Sequence, residues 1–144
     1  MNVEKKIALV AHDNKKRELI EWVLKNEGSL KSHAFFATGT TGRLINEETN
    51  LEVQRLKSGP LGGDQQIGAK ISENEIDMLI FFWDPLEAQP HDPDVKALIR
   101  LAAVWNIPVA CNLATADFIL SSPYFLGEYE RKIEDYSSHN SRKV

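Results

Sequence analysis

The chain has 144 residues, 42% of them hydrophobic and 26% charged, which excludes a disordered chain and sets the expectation of one globular domain with its own core. A net charge of −4 and a pI near 5.6 give no overall attraction for nucleic acid or an anionic membrane, so any anionic ligand must be held by local groups. One cysteine rules out an internal disulfide, and the most apolar run, residues 78–83, is far shorter than the about 20 residues that cross a bilayer.

The approach to Ile7 through Glu4, Lys5 and Lys6 carries no long apolar region. The expectation is therefore a cytoplasmic protein without a secretory signal, with Cys111 a buried structural thiol in a reducing compartment. Residues 6–11 form a short apolar run of the kind that becomes a strand covered on both faces of a parallel sheet. His12-Asp13-Asn14 ends it. Over residues 15–26, Leu19, Ile20, Val23 and Leu24 recur on one helical face, and Gly28 lies just past the expected end.

The unit then repeats: residues 33–38 read as a strand, Gly39-Thr40-Thr41-Gly42 as a turn, and residues 43–49 as a short helix. Residues 52–56 alternate like a third, less buried strand. The loop Ser58-Gly59-Pro60-Leu61-Gly62-Gly63-Asp64 follows, with glycines that let a ligand approach the main chain closely. Residues 65–73 form a helix with Ile67 and Ile71 four apart, and residues 77–83 are the fourth and most apolar strand. Pro85, Pro90 and Pro93 make residues 84–93 a stiff loop. Residues 94–105 are helical, with Val95, Leu98, Ile99 and Ala102 as the core-facing stripe, and residues 107–111 supply a fifth strand. A last helix spans residues 115–120 and stops near Pro123. Beyond Tyr136 the sequence is polar and patternless, so the domain is placed at residues 1–136 and a tail at 137–144.

Alternating strands and helices without repeat or linker predict a single-domain three-layer α/β/α fold on a five-stranded, mainly parallel sheet of Rossmann-like topology. Right-handed crossovers would put the carboxyl ends of all the strands on one edge, where open α/β sheets bind ligands. That edge collects His12 and Asp13 after the first strand, Thr38 to Thr41 after the second, and Ser58 to Asp64 after the third. Asp84, His91 and Asp94 follow the fourth strand, and residues 112–117 the fifth. Taken singly, each has a plainer reading. His12 is then a strand-end histidine, Thr38, Thr41, Asp64 and Asp94 are helix caps, Asp84 is a turn former before Pro85, and Lys16 is a solvated surface lysine.

Five coincident loops favour a site. Thr38-Gly39-Thr40-Thr41-Gly42, opening a helix, can cradle an anion with N–H groups, hydroxyls and the positive end of the helix dipole. Lys16 would add a point charge, and Ser58-Gly59 a second hydroxyl and backbone donor. The usual nucleotide signatures are missing from the sequence. The histidines His12, His33, His91 and His139 lack the paired spacing of a metal site. The expectation is acid–base chemistry without metal on a small phosphorylated molecule, with Asp64 as base and a histidine as electrophile or proton carrier.

On these residues the chain resembles the methylglyoxal synthases. The resemblance is carried by Ala11-His12-Asp13 with Lys16, by Ala37-Thr38-Gly39-Thr40-Thr41-Gly42, by Ser58 through Asp64-Gln65-Gln66, by Phe81-Phe82-Trp83-Asp84-Pro85, by Pro90-His91-Asp92-Pro93-Asp94-Val95-Lys96-Ala97-Leu98, and by residues 112–117. It implies conversion of dihydroxyacetone phosphate to methylglyoxal and inorganic phosphate, without cofactor, in a homo-oligomer that is usually a hexamer. It also implies that inorganic phosphate is a cooperative inhibitor. Asp64 is by this likeness the catalytic base. Lys16, Thr38, Gly39, Thr40, Thr41, Ser58 and Gly59 hold the phosphate, and His12 and His91 contact the substrate. Asp13, Asp84 and Asp94 are supporting carboxylates around the reacting carbons. The rival readings are a regulatory module of related fold that binds phosphorylated effectors, and a sugar-phosphate isomerase.

Overall fold

Five short runs become the strands β1 (Lys6–Ala11), β2 (Ala34–Ala37), β3 (Gln54–Arg55), β4 (Met78–Phe82) and β5 (Val109–Ala110) of one sheet. The computed structural model describes residues 1–87 and 92–140. Strand order is β3-β2-β1-β4-β5, and every neighbouring pair is parallel. The connecting helices are α1 (Lys16–Lys25), α2 (Glu27–Leu30), α3 (Gly39–Glu48), α4 (Gly63–Ser72), α5 (Asp92–Val104), α6 (Leu113–Ser121), α7 (Pro123–Leu126) and α8 (Ser137–Asn140).

Strand alternation splits the core into two layers. Ile7, Leu9, Met78, Ile80 and Phe82 pack with Leu19 and Val23 of α1, Ile45 of α3 and Ala116 of α6. Ala8, Val10, Leu79 and Phe81 pack on the other face with Ile67 and Ile71 of α4 and Val95, Leu98 and Ala102 of α5. Each fully buried side chain of this size contributes about 1.5–3 kcal/mol. The chain runs outward from β1 to β3 with helices on one face, then returns to β4 and β5 with helices on the other. Crossovers of constant hand require that change of face when the direction reverses. β1 and β4 are therefore neighbours at the switch point, where a crevice opens at their carboxyl ends.

Several boundaries differ from the sequence reading. The Gly39 to Gly42 stretch is the first turn of α3 rather than a turn before it, because Thr38 is an extended N-cap (ψ 156°) and the Gly42 N–H already closes on the Thr38 carbonyl at 2.7 Å. Gly28 lies inside the short α2 instead of ending α1. Pro123 starts α7 at a position where its missing N–H costs nothing, and the Ser122 hydroxyl caps it by accepting from the Tyr124 N–H. Pro93 likewise falls in the first turn of α5, so the proline loop is shorter than expected. Part of that loop, residues 88–91, lies outside the described residues, and residues 137–140 are helical. Cys111 is half-buried rather than fully buried, and that burial pushes its thiol pKa up. No helix among the described residues is long and apolar enough to cross a membrane.

The least expected core residue is Lys5, 1% exposed. Its ammonium is satisfied by the carbonyls of Asn2 (2.6 Å), Val3 (3.4 Å) and Gly127 (2.5 Å). Its backbone N–H donates to Nδ1 of the buried His33, whose ring stacks on Phe125.

Candidate active site

At the carboxyl edge of the sheet a cavity of about 360 Å³ opens between the ends of β1 and β2 and the start of α4. Three sequence segments build most of its wall. From the β1 end come His12, Asp13 and Lys16; from the start of α3 come Thr38, Thr40 and Thr41; from the loop before α4 come Ser58, Gly59, Pro60 and Asp64.

The start of α3 takes shape from local rules. An α-helix leaves its first N–H groups without intrahelical partners. In α3 the Gly39 N–H is engaged by the Lys57 carbonyl at 3.2 Å and the Gly42 N–H by Thr38, which leaves Thr40 and Thr41 as the donors. The Thr41 hydroxyl is buried and has no hydrogen-bond partner among the described residues, in a wall of the cavity. Such a group is costly unless a ligand completes it. Gly39 does not line the cavity. A Cβ there would stand 3.0 Å from the Ser58 N, so glycine lets the two loops pack together.

The second loop is folded on itself. The Ser58 carbonyl accepts from the Leu61 N–H (3.0 Å) and the Gly63 N–H (2.9 Å), and Gly62 takes a left-handed φ of +107° that only glycine adopts cheaply. Gly62 is the N-cap of α4, so Asp64 is not the cap but sits two residues inside, in the first turn, 3% exposed and facing the cavity. A buried carboxylate is thereby set at the positive end of a helix, in the same cavity as Thr38, Thr40 and Thr41.

The remaining residues divide by position. Asp13 is at the mouth with its carboxylate almost fully exposed, paired with the Lys16 ammonium. His12 is 5% exposed and stands edge-on to Phe81, with ring centroids 5.2 Å apart. Asp84 is buried but does not line the cavity. One of its oxygens accepts from the Asn14 side-chain amide at 3.0 Å and the other from the Leu86 N–H at 3.1 Å. The Asn14 bond, helped by Leu86, holds its carboxyl below the usual carboxylate range. His91 lies outside the described residues. Asp94 belongs to the start of α5, where only its backbone is described.

Sequence reasoning assigned no role to three residues that brace this wall. Gln66 Oε1 accepts from the Lys57 N–H at 2.8 Å, Arg55 Nε donates to the Gly39 carbonyl at 3.1 Å, and Asn14 holds Asp84. Gln66 is legible only as part of the Gly-Gly-Asp-Gln-Gln run; Arg55 and Asn14 carry no signal of their own. No cluster of histidine, cysteine and carboxylate able to hold a metal occurs among the described residues. A second cavity of about 340 Å³ lies at the opposite edge, lined by Met78, Ile107, Pro108 and Phe125. Its ammonium, Lys5, is turned onto carbonyls, which makes it a poor anion site.

Fold and cavity place the protein among doubly wound α/β domains with a cavity at the switch-point edge, and the family model described as MGS-like domain matches residues 18–111. The methylglyoxal synthase of Saccharophagus degradans is 64% identical over 140 residues, covering 97% of this chain and 91% of the relative. That of Proteus mirabilis is 64% identical over 141 residues, covering 98% and 93%. The crystal structure of methylglyoxal synthase from Elizabethkingia anophelis superposes with a TM-score of 0.95 at 58% identity, covering 100% of this chain and 95% of that one. The chain belongs to the methylglyoxal synthase family.

Proposed function

We propose that the protein is a lyase that converts dihydroxyacetone phosphate to methylglyoxal and inorganic phosphate, with Asp64 as the base and no cofactor. The observation that carries this reading is the placement of one buried carboxylate, Asp64, in the same cavity as the Thr38–Thr41 and Ser58–Gly59 cradle. Asp64 takes a proton from the hydroxymethyl carbon, and the C–H electrons form the double bond of an enediolate. Donors set in advance stabilise the developing oxyanion, a role for His12 and, from the segment after β4, His91. The enediolate electrons then expel phosphate with the C–O bonding pair, and the enol left behind becomes methylglyoxal by proton transfer.

Expulsion requires the C–O bond to stand perpendicular to the enediolate plane. An isomerase must hold it near the plane. The torsion is set by the grip on the phosphate, supplied here by Thr40 and Thr41 N–H groups, the Thr38 and Thr41 hydroxyls, Ser58, Gly59 and the Lys16 charge at the mouth. Asp13 would tune Lys16, Gly39 would set the cradle's shape, and Asp84 and Asp94 would support the reacting centre. The test is to supply dihydroxyacetone phosphate and assay methylglyoxal, inorganic phosphate and glyceraldehyde 3-phosphate separately. Equal yields of the first two are expected, and glyceraldehyde 3-phosphate as sole product would overturn the reading.

The protein is further proposed to act in the cytoplasm as a homohexamer inhibited cooperatively by inorganic phosphate. Exposed Phe118 (78%) and Leu126 (57%) on α6 and α7 support self-association. Sedimentation as a monomer, or a hyperbolic substrate response at every phosphate level, would count against it.

A further inference from the structure

β1 and β4 part company at the switch point, and a short chain of hydrogen bonds spans the gap. The ladder extends one residue past the strands through His12 N–H to the Phe82 carbonyl, at 3.2 Å. The Asp84 N–H then donates to Nδ1 of His12 at 3.0 Å. Asp84 is in turn held through both carboxylate oxygens, one on the Leu86 N–H and one on the Asn14 amide. The Leu86 bond is local to the segment after β4. Of the two bonds to the Asp84 carboxylate, the Asn14 bond is the one that ties that segment back to the turn carrying His12.

Resting on the reading of the cavity as a dihydroxyacetone phosphate site, we propose that Asn14 is a positioning residue: by fixing Asp84 it keeps the Asp84 N–H on His12 Nδ1 and so sets the tautomer of His12. A peptide N–H can only donate, so the Nδ1 it meets is the nitrogen without a proton. The neutral ring then carries its hydrogen on Nε2. The edge-on contact with Phe81 fixes the plane of the same ring. In this form His12 serves the cavity as a hydrogen-bond donor to a substrate oxygen rather than as a proton acceptor. Asn14 itself is exposed and does not line the cavity, so it acts through Asp84 and His12. Asp84 thereby also acts by position, since its two oxygens are taken by Asn14 and Leu86.

The donor and acceptor of the Asn14–Asp84 pair can be exchanged. N14D alone sets acceptor against acceptor with almost no change of shape. The double variant N14D/D84N reverses the bond, restores the charge and keeps an oxygen for the Leu86 N–H. The tautomer is read in the resting protein by ¹⁵N spectra of labelled histidine, the His12 signal being the one lost in H12Q. The wild type should show the pure Nε2–H form. N14D and N14A should move that signal toward a tautomer mixture and lower kcat by roughly ten- to a hundredfold with a smaller change in KM. N14D/D84N should regain the Nε2–H form and a kcat within about threefold of wild type.

An Nδ1–H ring in the wild type would overturn the proposal, as would N14D with an unchanged tautomer and rate. A double variant as inactive as D84N would also overturn it, because Asp84 would then be needed for its charge at the reacting carbons. The spectra need no substrate. A wild type that makes no methylglyoxal would therefore sink the activity reading and leave the tautomer result standing.

Discussion

Gly63→Ala tests whether the base and the phosphate grip are one rigid unit. A Cβ at Gly63 would stand 1.9 Å from the Lys57 carbonyl oxygen, 2.9 Å from its carbon and 3.0 Å from the Ser58 carbonyl carbon. All three are backbone atoms, and Lys57 is pinned at both ends, its N–H by Gln66 and its carbonyl by the Gly39 N–H. Reaching ordinary contact would displace the loop relative to α4 by about 1.5 Å, a misplacement of the size that costs roughly a hundredfold in rate. Overpacking of this kind also costs about 1–3 kcal/mol of stability. Gly62→Ala is the control. Its φ of +107° strains any other residue by about 1–2 kcal/mol, yet nothing stands within 4 Å of the added carbon. The two variants should lose similar stability in urea unfolding, while steady-state methylglyoxal formation falls about a hundredfold in Gly63→Ala and about threefold or less in Gly62→Ala. Equal kcat/KM in the two would refute the idea that loop position sets the rate.

Asp64→Asn should remove turnover by about 10³-fold or more while phosphate binding, followed by calorimetry, stays within a few-fold; unchanged turnover would end the assignment of Asp64 as base. Thr41→Val should leave the unliganded protein as stable as wild type, because its hydroxyl has no partner among the described residues, but weaken phosphate binding by about tenfold or more, the worth of a hydrogen bond to a charged group. His33 should govern an acid limb of stability that is separate from catalysis. Burial, helped by the Lys5 charge, lowers its pKa below the ordinary 6.5, so between 6.5 and the depressed folded value the unfolded chain binds the extra proton. Stability is then complete above pH 6.5 and falls as pH drops through that window, by at most about 1.4 kcal/mol per pH unit. Urea midpoints across pH 4–8 should show this limb flattened in His33→Gln, and an unchanged limb would assign it to other groups.

Much of the fold was legible because the deciding signals are local. β1 has the boundaries read from its apolar run, and Leu19, Val23, Val95 and Leu98 are buried as their spacing predicts, whereas Leu24, read on the same face of α1, is exposed and Trp22 is buried instead. The start of α3 was misread because Gly-Thr-Thr-Gly has poor helix propensity, and that turn is instead anchored by tertiary bonds from Gly39 to Lys57 and from Arg55 to Gly39. The residues of the candidate site were legible as types at strand ends, whereas their division of labour was not. Asn14 and Asp84 are 70 positions apart, and only packing of β1 beside β4 brings them together. Lys5 read as a flanking charge because the carbonyls that satisfy it come from its own N-terminal neighbours and from Gly127. Burial of a lysine is written in that coincidence and not in the residue type.

The two walls of the cavity are braced in different ways, and the difference bears on the chemistry. On one side, Leu56 N–H to Ala37, Gly39 N–H to Lys57, Arg55 to Gly39 and Lys57 N–H to Gln66 sew the start of α3 and the loop before α4 to each other and to the helix that carries Asp64. The proposed phosphate grip and the proposed base would therefore keep a fixed separation and angle, the condition for holding one C–O torsion while a proton is taken from the far carbon. On the other side, His12 Nδ1 accepts from the Asp84 N–H across the switch point, and the Asn14 amide donates to the Asp84 carboxylate. In the proposed reading, that wall fixes the orientation of His12. A displacement of the phosphate wall should change which product forms, because it changes the torsion. A displacement of the His12 wall should change only how fast the enediolate is reached, because it changes the oxyanion's partner. In the proposed reaction the choice between elimination and isomerisation would thus lie with Gly39, Arg55, Lys57, Gly63 and Gln66, residues that hold the two loops together, more than with the carboxylate proposed to take the proton.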